Sequence, residues 1–151
     1  MKIVIQRVID SSVSIKDMEP RFIGEGLIIF VGFCNDDKDD DILWGIKKII
    51  NMKILKGKDG YYNINTLEKK SDILVISQFT LLASTKKGNK PSWHKAAGQV
   101  LARKLYDRFI VFFKKMYSEK NVKTGFFGKK MKINVTNDGP LTIILDSKNK
   151  I

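Results

Sequence analysis

Two segments of the chain put polar chemistry where the surrounding pattern is apolar. In the first, Ser77-Gln78-Phe79-Thr80-Leu81, two hydroxyls and an amide end a run of apolar residues. Such groups must find hydrogen-bond partners or face a cleft, unless the segment is an ordinary strand end. In the second, Asn137-Asp138-Gly139-Pro140-Leu141-Thr142, a Gly-Pro bond falls between two strand-like runs. Glycine opens backbone angles closed to other residues and proline admits a cis peptide, although a plain turn is the simpler reading. A third segment, Lys86-Lys87-Gly88-Asn89-Lys90, carries cations fit to grip phosphate or to sit in a solvated loop.

Conventional catalytic parts are scarce. The chain has one histidine and one cysteine, with no HExxH, CxxC, P-loop or GxGxxG pattern. His94 has the chemistry of a general base for Ser77 or Thr80, but at the predicted start of a helix it reads as a surface or capping residue. Cys34, at the end of the apolar run 26–33, reads as a small buried hydrophobe. The acidic cluster Asp36, Asp37, Asp39, Asp40 and Asp41 precedes Ile42, Leu43, Ile46, Ile49 and Ile50 at helical spacing. Carboxylates there complement a helix dipole, and the spacing and glycine of a calcium loop are missing. The reading is of chemistry that uses no metal and no cofactor.

The elements that must position these groups follow from periodicity. Residues 2–8 and 12–15 carry β-branched residues with partial alternation, and Asp17-Met18-Glu19-Pro20 turns the chain into a third run at 21–23, an opening antiparallel meander. The nearly continuous apolar run 27–33 predicts a central strand covered on both faces. Residues 56–60 predict a hairpin turn and 72–79 another strand. Ala97, Val100, Leu101, Leu105, Phe109 and Phe112 recur every three or four positions, predicting one long amphipathic helix over about 93–119. Two strands, 131–135 and 141–145, then flank the turn 136–140. Short turns argue for antiparallel pairs and helical crossovers for parallel ones, so the expected fold is mixed α+β, a mixed sheet layered against two main helices.

The 151 residues suit one domain, 1–151, and 43% hydrophobic content is enough for its core. The opening MKIVIQRV lacks the apolar stretch and cleavage site of a signal peptide, and no run approaches the ~20 residues of a membrane helix. A reducing cytoplasmic setting without membrane partners is the expectation. With 28 Lys and Arg against 16 Asp and Glu, the net charge of +12 draws the protein towards polyanions, although a lysine-rich composition alone gives the same excess.

The two odd segments acquire a common meaning in their order. SQFTL and NDGPLT resemble the signature motifs SQxTL and NxGPVT of the D-aminoacyl-tRNA deacylase family. The likeness extends through MKIVIQRV with Ser12-Val13, Ile23-Gly24-Glu25-Gly26-Leu27 with Val31-Gly32, KGNKPSW, Leu105-Tyr106-Asp107-Arg108-Phe109, and Thr124-Gly125-Phe126-Phe127-Gly128 with Met131, essentially the whole chain. Leu141, Lys90 and Trp93 stand where that family usually has Val, Arg and Phe.

The resemblance implies a largely antiparallel, barrel-like fold and a homodimer with the active site at the subunit interface. It implies hydrolysis of the ester of D-aminoacyl-tRNA, and of glycyl-tRNA mischarged on tRNA-Ala, as proofreading in translation. By the same resemblance Ser77, Gln78 and Phe79 line the pocket with backbone contacts, Thr80 orients rather than attacks, and the ribose 2′-hydroxyl assists water. A cis Gly139-Pro140 element from one subunit enters the other's pocket and excludes L-amino acids. Met131, Asn137 and Thr142 contact substrate, and Lys86, Lys87 and Lys90 hold tRNA. Two alternatives stay open: a nucleic-acid-binding module that keeps the fold without turnover, and a general esterase built on Ser77 or Thr80 with His94.

Overall fold

The run predicted to be covered on both faces is the strand at the centre of the sheet. In the computed structural model, which describes residues 1–150, β3 (Gly26–Gly32) pairs antiparallel with β1 (Lys2–Ser14) on one side and parallel with β6 (Asp72–Ser77) on the other. Its period of two sends alternate residues into two cores. Leu27, Ile29 and Val31 join Ile3, Ile5, Ile73 and Val75 beneath helices α1 (Asp39–Asn51) and α3 (Gln99–Met116), whose Ile42, Ile46, Ile49, Leu105, Phe109 and Phe113 face them. Ile28, Leu74 and Ile76 point the other way, towards Val8, Val13, Ile23 and Phe126. Both faces are apolar because both are buried.

The sheet runs β2–β1–β3–β6–β7, with β2 (Arg21–Ile23) antiparallel to β1 and β7 (Val122–Thr124) parallel to β6. Side chains join its two ends. Arg21 donates to the Thr124 carbonyl at 2.8 Å and Lys123 Nζ to the Phe22 carbonyl at 2.6 Å, so the sheet curls into a nearly closed barrel. The small hairpin β4 (Leu55–Lys56) and β5 (Tyr62–Ile64) turns through residues 57–61, as expected, and is followed by the one-turn helix α2 (Thr66–Lys69). No helix among the described residues is long and apolar enough to cross a membrane.

Four expectations need correction. Residues 2–15 are not two strands: β1 is continuous through Ser14, because its far half still has β2 and the final strand to pair with. The last two predicted strands are likewise one, β8 (Lys132–Asp146), and the predicted turn is a bulge in it: Asp138 to Leu141 lie opposite the single residue Arg7. The long helix begins at Gln99 rather than near Trp93. Bridges Ser84–Ser92 and Cys34–Ala96, with Ala97 N–H donating to the Phe33 carbonyl at 2.8 Å, hold the preceding segment out of the helix, and Gly98 caps it. Val100, read as part of the apolar stripe, is consequently exposed. Finally, the acidic cluster does not act as one cap. Asp39, Asp40 and Asp41 occupy the first turn of α1, whereas Asp37 is buried against the Met1 amine at 2.6 Å and accepts from Cys34 N–H at 2.7 Å. Cys34 itself is half-buried, and burial pushes its thiol pKa up.

Candidate active site

The parallel strands β3 and β6 end side by side, and a cavity of about 650 Å³ opens beyond their carboxyl ends, the usual place for a site in parallel sheets. Val31 and Gly32 form its floor with Ile76 and Ser77. Gln78 and Phe79 form one wall, Gln99 and Ala102 from the first turns of α3 another, and the 127–131 segment after β7 the third. The volume suits a ligand of nucleoside size. Two cations, Lys129 and Lys130, stand at an otherwise mostly apolar surface.

The strand ends where it does for a local reason. Gln78 N–H donates to the Val31 carbonyl at 2.8 Å, one last bond across to β3, and a 3-10 turn, Phe79–Leu82, begins immediately. This packing requires Gly32: a Cβ there would lie 2.6 Å from the Gln78 carbonyl oxygen and 2.6 Å from Leu82 Cδ2. The turn leaves the first amides, those of Phe79 and Thr80, without acceptors inside it. The Phe79 amide therefore belongs to the cavity lining next to Ser77, an arrangement able to hold a carbonyl oxygen or a developing oxyanion.

The opposite wall is set by sulfur. Phe126 N–H points at Met131 Sδ at 3.3 Å, tying the ends of the 126–131 loop together. Behind it Tyr106 donates its hydroxyl to the Val75 carbonyl at 2.9 Å and packs on Phe127 at 5.4 Å between ring centroids. Burial holds the Tyr106 hydroxyl far above the usual phenol range. It is a fixed donor under the wall rather than an acid facing the cavity.

Ser77, Gln78, Phe79 and Met131 thus meet around one cavity. Thr80 does not line it. Its Oγ1 accepts from the Gln78 side-chain amide, and no base contacts it among the described residues. His94 is exposed, with Nδ1 3.2 Å from Ser92 Oγ, so it is partnered with neither Ser77 nor Thr80. Lys86, Lys87 and Lys90 are exposed in the loop closed by the Ser84–Ser92 bridge.

Asn137, Gly139, Pro140 and Thr142 form a second cluster elsewhere. None lines the cavity of its own chain. The Gly139–Pro140 bond is cis, and Thr142 Oγ1 accepts from Gln6 Nε2 at 3.1 Å. The bulge is held from below by Arg7, which donates to the Asp138 carbonyl at 3.0 Å and the Ile54 carbonyl at 2.7 Å, and stacks 3.7 Å over the Tyr62 ring. Sequence reading missed Arg7. The signal was present: Ile3, Ile5 and Arg7 share the inward phase of β1, and a charge at a core position demands partners. Gln99 and Ala102 were missed because the helix was expected to begin earlier.

Comparison with known proteins places this geometry in company. The family model described as D-Tyr-tRNA(Tyr) deacylase matches residues 4–146. A D-aminoacyl-tRNA deacylase of Bacteroides thetaiotaomicron is 47% identical over 150 residues, and one of Flavobacterium johnsoniae 43% identical over 150 residues, in both cases covering 99% of each chain. Among solved structures, the c-Myc DNA unwinding element binding protein superposes with a TM-score of 0.91 at 33% identity, covering 97% of this chain and 98% of its own. A probable eukaryotic D-amino acid tRNA deacylase gives a TM-score of 0.82 at 17% identity over 95% and 97% of the two chains, a likeness of fold.

Proposed function

The chain belongs to the D-Tyr-tRNA(Tyr) deacylase family of hydrolases, and from that premise we propose that its cavity takes the aminoacylated 3′-adenosine of tRNA and hydrolyses the ester of D-amino acids. The observation that carries this reading is the cavity itself, where Ser77, Gln78, Phe79 and Met131 come together at the ends of two parallel strands. Its backbone amides and flanking lysines suit an ester on a polyanion.

The reaction adds water to the ester carbonyl carbon and breaks the bond to the ribose 3′-oxygen, which takes a proton; free D-amino acid and tRNA result. The residues here orient rather than attack. The Phe79 amide stabilises the oxyanion, the 2′-hydroxyl beside the ester positions or activates the water, and proximity supplies the rest. That no base contacts Thr80 among the described residues supports this over a covalent route. Met131 packs on the adenine side, and Lys86, Lys87 and Lys90 meet the phosphates of the acceptor end.

The separation of the two clusters supports a homodimer. Gly139 and Pro140 are exposed and lie outside the cavity of their own chain, so they act by entering a second subunit's cavity, with Asn137 and Thr142 flanking them. A backbone wall there meets an L-side chain and leaves room for a D-side chain, and glycine has none to exclude, which extends the activity to glycyl-tRNA mischarged on tRNA-Ala. This is proofreading of translation by a cytoplasmic protein acting as a single 1–151 domain.

A second reading has one observation in its favour: the neighbour at 33% identity is named for binding DNA, and a binding module would use the same lysines. The test is deacylation of matched D-Tyr-tRNA and L-Tyr-tRNA, with His94→Ala as control. Loss of only the D-ester, unchanged by the control, is expected. Equal cleavage of both would overturn chiral selection, dependence on His94 would favour the esterase, and tRNA binding without cleavage would favour the binding module.

A further inference from the structure

Between Ile73 and Tyr106 the chain contains no acidic residue and six basic ones, Lys86, Lys87, Lys90, Lys95, Arg103 and Lys104. In the middle of this stretch stands an exposed aromatic pair. Phe79 (54% exposed) and Trp93 (40% exposed) meet edge to face, with centroids 5.8 Å apart and planes at 65°. Phe79 lines the cavity and Trp93 does not. Trp93 is therefore one ring removed from the cavity. An edge-to-face contact sets the rim of one ring against one face of the other, so the opposite face of each is not covered by this contact.

The backbone that carries the indole is also held in place. Ser92 exchanges both backbone hydrogen bonds with Ser84, at 2.8 and 3.0 Å, and Ala96 N–H donates to the Trp93 carbonyl at 2.9 Å. The same Ser84–Ser92 bridge closes the loop that carries Lys86, Lys87 and Lys90. Among the described residues the lysines that form ion pairs lie elsewhere, at Lys69, Lys114 and Lys148. An aromatic ring on an anchored backbone beside a cluster of cations is the combination by which proteins hold unpaired nucleic acid: rings stack bases and cations track the phosphates.

We propose that Trp93 stacks the nucleobase next to the terminal adenosine, with the lysine loop holding the phosphates on its far side. This rests on the RNA reading of the cavity and goes beyond it by naming the residue that grips the second nucleotide. Trp93 is a positioning residue: it carries no part of the ester chemistry and acts on where the acceptor end lies.

The test uses the full chain with Trp44→Phe, which makes Trp93 the only tryptophan. The trinucleotide CpCpA and the same RNA with an abasic middle ribose are titrated while tryptophan emission is followed. Saturable quenching by CpCpA is expected, with no quenching and about ten-fold weaker binding for the abasic RNA. Trp93→Leu should raise KM for D-Tyr-tRNA about ten-fold with kcat little changed, and Trp93→Phe should restore most of the loss. Two results would overturn the proposal: CpCpA that competes with D-Tyr-tRNA turnover yet leaves the emission unchanged, or an unaltered KM in Trp93→Leu. Failure of both RNAs to bind, together with no turnover of D-Tyr-tRNA, would instead remove the reading of the cavity and this proposal with it.

Discussion

Arg7 grips Asp138 twice, donating Nε–H to its backbone carbonyl at 3.0 Å and lying 2.9 Å from its carboxylate Oδ2. The contact joins the middle of the first strand to the bulge that presents Gly139 and Pro140. Arg7 is buried, and its other donor reaches the Ile54 carbonyl. Replacing it by Met leaves the Asp138 carboxylate and two carbonyls without their partner. Arg7→Met should therefore lower the unfolding free energy by about 2–4 kcal/mol in urea titrations. Arg7→Lys keeps the charge but not the planar fork, and should recover only part of the loss. In the folded Lys variant a looser bulge should narrow the difference in deacylation rate between D-Tyr-tRNA and L-Tyr-tRNA.

Gly32 makes a sharper steric test. A methyl group there meets the Gln78 carbonyl oxygen at 2.6 Å, and that backbone cannot retreat without breaking the Gln78 N–H bond to Val31. Gly32→Ala should cost about 1–3 kcal/mol of stability and displace the cavity wall at Gln78 and Phe79. Deacylation measured well below the melting temperature should fall by at least ten-fold in kcat/KM. A folded Gly32→Ala protein with normal activity would show that this wall does not position the ester.

The reach of the sequence is visible in these same residues. The two-faced burial of β3, the dipole-facing acids of α1 and the polar strand end at Ser77 were readable because periodicity and residue type report burial directly. The start of α3 was not. Apolar spacing from Ala97 onward mimics a helix, but backbone bonds from Ala97 and the Ser84–Ser92 pairing claim the segment first, and those partners are distant in sequence. The bulge at 138–141 was hidden for the same reason. Gly-Pro signals a break, and only the register against Arg7 shows that the strand continues past it. The identity of Ser77, Gln78, Phe79 and Met131 as neighbours came from motif resemblance, since nothing local connects residue 131 with residue 77.

Thr80 separates an orienting hydroxyl from a nucleophile. Its Oγ1 accepts a hydrogen bond from Gln78 and has no base beside it among the described residues. Thr80→Ala and Thr80→Val should both fold and retain D-Tyr-tRNA deacylation within about ten-fold of the parent, because only the placement of the Gln78 amide is lost. An attacking hydroxyl would instead cost about three or more orders of magnitude. Rapid-quench kinetics add a second check: no burst of tRNA release should precede the steady state, because no acyl-enzyme forms.

Asp41 ties the start of α1 to the end of the chain and sets part of the acid sensitivity. Its Oδ2 accepts from Lys38 N–H at 2.9 Å and from Lys148 Nζ at 2.9 Å. Burial opposes the charged form, but these bonds overcome it and hold the carboxyl down at about 2. A folded-state pKa below the unfolded value of about 3.9 means that the unfolded chain binds the proton more readily. The contribution is therefore fully present above about pH 4 and is lost as pH falls towards 2. The Asp41 side chain is mostly covered but its partner Lys148 is 35% exposed, so the effect is modest and weakens with salt. Thermal unfolding midpoints recorded across pH 2–7 should show Asp41→Asn less stable than the parent at neutral pH, with the two curves converging as pH approaches 2. Parallel curves over the whole range would mean that the Asp41–Lys148 bond contributes nothing to folding.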